Sequence, residues 1–248
     1  MKIKNYVLIA MLSLPFMAQA QDNPDASSAY GNQNILKLNL TSLGFVNVYL
    51  QDEYTLNGSS SVALGLSYMP SRSLPSVVID NDPNGNAGNI SFSGFSITPE
   101  YRWYVKKHAP KGFYLAPYLR YTKYTTDSYS FSYDRSGTNG TVKDVATLEG
   151  SLSGIGLGLM IGDQFKLGDH VTLDWWIIGA GYSSSKIEMS GTGNFSTSQQ
   201  EDLRTEIDGM DIPFGDLEKD VTASSVKITY KTGLPSIRGF GLAIGYIF

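Results

Sequence analysis

The sequence contains no cysteine among its 248 residues, and this absence excludes several classes of chemistry. A disulfide, a thiol nucleophile, a lipid attached to cysteine and a zinc site with cysteine ligands are all ruled out. Histidine is scarce as well, since only His108 and His170 occur. We therefore expect no metal site and no bound cofactor.

Long apolar runs and long basic runs are missing too. After the first twenty residues, no apolar run approaches the roughly 20 residues that a transmembrane helix needs. The formal net charge is −4 and basic residues are not clustered, which argues against a nucleic acid as partner. The mature chain is therefore expected either to be exported and soluble or to enter a membrane without helices.

The first twenty residues have the pattern of a secretory signal peptide. Lys2 and Lys4 precede a short apolar run, and "AQA" at 18–20 is a small-x-small cleavage site. The sequence predicts a cleaved signal peptide over 1–20, a short periplasmic segment over 21–33 and one domain over 34–248. It therefore predicts export from the cytoplasm.

Alternation with a period of two is the main pattern of the remaining chain. In the final "RGFGLAIGYIF", large apolar residues alternate with mostly small ones, as in a β-strand with two unlike faces. Similar stretches predict about eight strands. They cover 34–43, 47–56, 60–69, 91–105, 113–131, 147–167 and 171–189, with the last strand ending the chain after a break near "GLPS".

The connections between these strands alternate in length. From the second strand onward they run short, long, short, long, short and long, and the long ones cover 70–90, 132–146 and 190–222. Transmembrane barrels have short periplasmic turns and long extracellular loops. The sequence thus predicts an all-β, antiparallel, up-and-down transmembrane β-barrel of about eight strands. The connection around 44–47 departs from this scheme, because it is short where a long loop is expected.

The two faces of the predicted strands support a narrow barrel. One face is rich in small residues, as at Gly154, Gly156 and Gly158, and a barrel of about eight strands has little room inside. The other face carries aliphatic residues with aromatic residues near the strand ends, as lipid-facing strands do. A soluble barrel with these residues in its core is the alternative.

Charged residues fall on the predicted inner face of four strands. These residues are Lys37, Glu53, Glu100, Arg102 and Arg120. Charges buried in a narrow lumen must be paired, so we expect one interior charge network. Two interpretations stay open: the network plugs the barrel and fixes its register, or it lines a gated, narrow ion path. Asp52, by contrast, falls on the outer face.

The signal peptide, the inward charges of "PEYRWY" and the aromatic last strand together resemble small outer-membrane β-barrel proteins of the OmpX and OmpA-barrel type. "NILKLNL" and "GFGLAIGYIF" look closer still to a family of exported barrel proteins without established function. The resemblance implies a place in the outer membrane of a Gram-negative cell, in contact with its lipid. It also implies a signal for the barrel-assembly machinery, made of Phe240, Leu242, Ile244, Tyr246 and Phe248.

Four functions are compatible with this reading. The first is a structural or surface-interaction role, in which loops 70–90, 132–146 and 190–222 meet a surface ligand or protein. The second is a narrow, porin-like channel for ions or small solutes. A lipid-modifying enzyme and a soluble periplasmic binding barrel are the others. We expect no catalytic residues, because both histidines fall in short turns away from a candidate serine.

Overall fold

The computed structural model describes residues 33–73, 91–106, 108–137, 140–209 and 214–248. The predicted signal peptide, the segment before the first strand and most of the predicted loop 70–90 lie outside the described residues. The described residues form eleven strands and two short helices. In chain order these are β1 (Asn34–Asn39), α1 (Leu40–Leu43), β2 (Val48–Asn57), β3 (Ser60–Ser73), β4 (Ser91–Tyr104), β5 (Gly112–Thr126), β6 (Tyr129–Gly137), β7 (Gly140–Leu167), β8 (Val171–Thr192), α2 (Thr197–Asp208), β9 (Asp216–Val221), β10 (Ser225–Arg238) and β11 (Gly241–Ile247).

The strands form a single antiparallel sheet that closes into a ring. The order around the ring is β7, β5, β4, β3, β2, β1, β11 and β8, and pairing of β8 with β7 closes it. The predicted all-β, up-and-down antiparallel barrel is therefore confirmed. The strand count differs from about eight because β5 and β6 both pair along β7, β10 and β11 both pair along β8, and β9 is added at the edge of β10.

The connections define two ends of the ring. The short turns 58–59, 105–111 and 168–170 lie at one end, here called the turn end, and the opposite end is called the loop end. At the loop end two predicted loops contain regular structure. Segment 132–146 forms most of the β6–β7 hairpin, and segment 190–222 contains the end of β8, α2 and β9. Predicting these segments as loops was wrong, because their polar composition hides strands that project beyond the ring.

The helix α2 begins at a capping box two residues earlier than its sequence suggests. "SQQE" fits a box between Ser198 and Glu201, but the structure uses Ser196 and Gln199, each bonding the backbone of the other. Ile207 is the buried residue of α2. Among the described residues, no helix is both long and apolar enough to cross a membrane.

The ring is apolar outside and polar inside. Along β3 and β7 the residues at every second position are exposed and apolar, and along β2 and β4 the alternate residues are buried and polar. The exposed set, here called the apolar belt, includes Leu36, Leu50, Val62, Leu64, Leu66, Phe95, Ile97, Tyr101, Trp103, Phe113, Leu119, Tyr121, Ile155, Leu157, Leu159, Ile178, Tyr182, Ile244 and Tyr246. This arrangement is the reverse of a globular protein with an apolar core.

One side of the ring is lower than the rest. β1 ends at Asn39, whose side chain caps α1, and the chain returns in β2 from Val48. β10 pairs with β8 along one edge. Its other edge, toward the β1–β2 hairpin, pairs with no strand over 232–238 among the described residues. We call this gap, between the β1–β2 connection and β10, the low side. It lies where the sequence showed an unexpectedly short connection.

Candidate functional site

Four charged side chains meet near the turn end of the ring interior. Lys37 Nζ lies 2.7 Å from Asp174 Oδ2 and also pairs with Glu53. Arg102 Nη1 lies 2.7 Å from the same Asp174 oxygen and 3.2 Å from Glu53 Oε2. None of these four side chains has any exposed surface. They come from β1, β2, β4 and β8, so their pairing ties opposite walls of the ring together.

The remaining oxygens of these carboxylates accept hydrogen bonds from two tyrosines and, at Glu53, also from Ser61. Tyr104 donates to Glu53 Oε1 and Tyr114 donates to Asp174 Oδ1, both at 2.7 Å. The guanidinium of Arg102 lies 4.5 Å above the ring of Tyr114 and donates to Gln51 Oε1 at 2.7 Å. A buried ion pair is favourable only when such additional hydrogen bonds are made, and here they are made.

A second layer of charge lies above the first. Arg102 Nη2 contacts Glu100 Oε2 at 3.1 Å, and the other oxygen of Glu100 pairs with Arg238 from β10. Arg238 also donates to the hydroxyl of Tyr49 at 3.2 Å and stacks on Trp176, 4.2 Å from the ring centroid. The plug, as we name it, consists of both layers: Lys37, Glu53, Glu100, Arg102, Asp174 and Arg238.

Arg120, the fifth residue of the predicted network, lies above the plug. It donates from Nε to Thr98 at 3.1 Å, and its guanidinium lies 5.9 Å from the ring centroid of Tyr118. No carboxylate of the described chain lies within ion-pair distance of it. The plug has three cations against three carboxylates, so Arg120 adds an uncompensated positive charge to the interior.

Two adjoining cavities open above the plug toward the loop end, and both are lined by Arg120, Thr122 and Arg238. One, of about 190 Å³, lies among small residues of β7, β8 and β10, including Gly154 and Ser183. The other, of about 300 Å³, reaches the low side of the ring. Together we call them the upper cavity. The interior is therefore closed by charged groups below and open above.

Glycines make room for the aromatic side chains between plug and cavity. Gly158 on β7 and Gly181 on β8 are directly paired across the strands, and the ring of Tyr118 lies against both. A Cβ at Gly158 would lie 2.6 Å from the backbone oxygen of Ala180 and 2.6 Å from Tyr118 Cζ. The small residues that the sequence predicts on the inner face therefore leave space for aromatic rings inside the barrel.

Sequence reasoning missed two members of the plug. Asp174 lies on β8 just before "WWII". Four apolar residues in succession there hide which residues of the strand face the interior. The structure shows why: Ile161 pairs with Ile178 but Gly162 pairs with Trp176, so Ile177 is an extra residue, a β-bulge that reverses the faces. Arg238 was missed because the last strand breaks at Gly239 and Phe240, not at the predicted "GLPS". No clear signal in the sequence marks the break at Gly239 and Phe240.

The other predicted residues lie on the outside or at the turn end. Phe240, Ile244, Tyr246 and Phe248 are exposed on the outer face at or beside β11, with Leu242 half-buried. Asp52 faces outward between Leu36 and Leu64. His170 stacks on Tyr246 at the turn end, whereas the upper cavity opens at the loop end. Among the described residues, no cluster of acidic residues and histidines is placed to hold a metal ion.

The closed antiparallel sheet and its polar interior define this chain as an all-β, barrel-like protein. Comparison with family models then places it: residues 7–206 match the family described as "Protein of unknown function (DUF3575)". The match covers most of the chain, so the protein belongs to this family. No curated protein matches it.

Proposed function

We propose that the protein is an integral outer-membrane β-barrel whose lumen is closed by the plug, with a structural or surface-interaction role. The observation that carries this proposal is the apolar belt. Exposed leucine, isoleucine, tyrosine and tryptophan side chains surround the ring, while lysine, arginine and carboxylate side chains are fully buried inside it. A protein surrounded by water does not favour apolar side chains outside and charged side chains inside, but a protein surrounded by a bilayer does.

Most strands of the ring have the length that this assignment requires, whereas β1 with six residues and β11 with seven are shorter. A barrel strand needs about 9–11 residues to cross the bilayer. β3 and β4 have 14 residues each, β7 has 28 and β8 has 22, so every one of these strands is long enough. The surplus of β7 and β8 belongs to the hairpins that project at the loop end. This architecture is the one expected of OmpX-type and OmpA-type barrels.

We expect the native protein to fractionate with the outer membrane and to shift on a gel when boiled. Closed membrane barrels resist the detergent and migrate as compact species until heat unfolds them. The measurement compares boiled and unboiled membrane fractions by electrophoresis. Recovery in the soluble periplasmic fraction, without detergent, would contradict the proposal. The apolar belt would then have to be covered by another molecule.

The plug argues for a closed lumen and against the alternative of a narrow channel. Its six charged side chains are paired across the ring, with almost no exposed surface. We therefore expect the purified, folded barrel to show no conductance steps in planar bilayers. Open steps in the unmodified protein that change on Glu100→Gln would instead support the channel. Charge removal at Glu100 should otherwise affect stability alone.

The projecting segments supply the surface for interaction. At the loop end these are the β6–β7 hairpin, the helix α2 and the β9–β10 hairpin. A second surface is the outer face of β11, which the barrel-assembly machinery would recognise during insertion. We propose no catalytic role, since His108 and His170 both lie at the turn end, whereas the upper cavity opens at the loop end.

A further inference from the structure

We infer that the upper cavity binds the anionic headgroup of a single-chain amphiphile that enters from the membrane through the low side. The inference rests on the proposed membrane location of the ring. It assigns a class of ligand to a barrel whose lumen is closed by the plug. Three features of the interior lead to it: an uncompensated positive charge, hydrogen-bond donors without partners, and a side opening at the level of the apolar belt.

The first feature is the charge of the upper cavity. Arg120 and Arg238 both line it, and the described chain supplies Glu100 alone as a close counter-ion for the two. The other lining side chains are mostly uncharged serine, threonine and glycine. A guanidinium that lies in a cavity with few counter-ions favours an oxyanion ligand. Its planar shape suits a carboxylate or phosphate group.

The second feature is a set of donors that lack a partner. Several buried donors of the described residues make no hydrogen bond, and two of them, Arg238 Nε and Trp176 Nε1, belong to residues at the upper cavity. Both residues line the cavity of about 300 Å³. Buried donors in native proteins are nearly always satisfied, so donors left over at a cavity indicate a missing acceptor. A carboxylate beside Arg120 would supply acceptors of the right kind.

The third feature is the height of the low side. β1 has six residues, and at a rise of about 3.3 Å per residue and the usual tilt of barrel strands its upper end lies about 15 Å above the turn end. The apolar band of an outer-membrane barrel is about 25 Å tall. The opening above β1 therefore begins within the bilayer, and the upper cavity faces acyl chains through it.

The residues around the opening are those that an acyl chain would contact. Phe45 is 72% exposed, Ile237 is 78% exposed and Phe240 is 51% exposed, and all three also line the upper cavity. Apolar residues thus lead from the lipid to the two arginines. The larger cavity is at the lower end of the range for small-molecule sites, about 300–1,000 Å³, which suits a headgroup and its first methylenes.

Tryptophan quenching tests this site directly. The chain has three tryptophans, and Trp176 is the one that lines the upper cavity. With Trp103→Phe and Trp175→Phe in place, the probe 2-bromododecanoate should quench Trp176 saturably in neutral micelles. Arg120→Gln should weaken this binding at least about tenfold, because a charge-assisted hydrogen bond is lost. Lys123→Gln, which removes an exposed charge from the same strand, should leave it unchanged.

Three comparisons would overturn the inference. Equal quenching by the uncharged methyl ester of the probe, or equal binding by the Arg120→Gln and Lys123→Gln variants, would exclude an anion site. Equally tight binding of the short, water-soluble 2-bromobutanoate would exclude an amphiphile. Gly239→Trp, placed where a new side chain has open space, should obstruct the low side and slow binding. The heat shift of each variant reports folding, so its absence in the unmodified protein would overturn the proposed function separately.

Discussion

Replacing Arg102 with methionine (Arg102→Met) is expected to lower the free energy of unfolding by about 3–5 kcal/mol, the cost of breaking a buried ion pair from one side. Arg102 contacts Glu53, Glu100 and Asp174, and its loss leaves three buried carboxylates with only two cations of the plug. The methylene stem is retained by methionine, so the charge is the main change. Reversible urea unfolding of the barrel in micelles measures this difference.

Two further variants make this test specific. Lys123→Met removes an exposed charge from the outer face of β5 and should change the free energy of unfolding by no more than about 0.5 kcal/mol. Adding Asp174→Asn to Arg102→Met removes one of the three carboxylates that Arg102→Met leaves with only two cations. The double variant should therefore lose less stability than the sum of the two single changes. If Arg102→Met unfolds at the same urea concentration as the unmodified barrel, the plug does not hold the ring together.

Replacing Gly158 with valine (Gly158→Val) is the second change with a large expected effect. A Cβ there lies 2.6 Å from the oxygen of Ala180, and backbone cannot move aside as a side chain can. Overpacking of this kind costs about 1–3 kcal/mol or more, and we expect the upper end because two adjacent strands must separate. The measurement is the fraction of protein that refolds into the heat-shifted form, with its urea midpoint.

Gly239→Val is the matched control for this experiment. Its added atoms meet open space, since no atom of the described chain lies within 4 Å of a Cβ at this position. The same substitution should thus refold normally at Gly239 and poorly at Gly158. Equal refolding of both variants would show that the inner glycines are not needed for ring closure, contrary to their packing around Tyr118.

The fold was largely predictable because strand alternation is a local property. Leu36, Lys37 and Leu38 already show which face of β1 is polar, and no distant contact is needed to read this. The same reasoning put Glu53 and Arg102 on the inner face, where the structure has them. Turn signals such as Asn57-Gly58 marked the ends of strands for equally local reasons.

The site was predictable only where the alternation is unbroken. The bulge at Ile177 changes the face of every following residue of β8, and a bulge has no clear mark in the sequence. The pairing of Arg238 with Glu100 joins positions 138 residues apart, which no local pattern reveals. The low side has the same origin: it follows from the length of β1 relative to β10, a comparison that requires the ring to be assembled first.

In the proposed membrane location, the low wall of the ring gives the molecule a front and a back in the plane of the membrane. The front is the β1–β2 connection, and the back, four strands away around the ring, is the β5–β7 pair that carries the tall β6–β7 hairpin. Rotation about the membrane normal therefore changes what the protein presents to its neighbours. If the low side is the entrance that we infer, a barrel packed against another protein by its back keeps this entrance open to lipid, whereas one packed by its front has it covered.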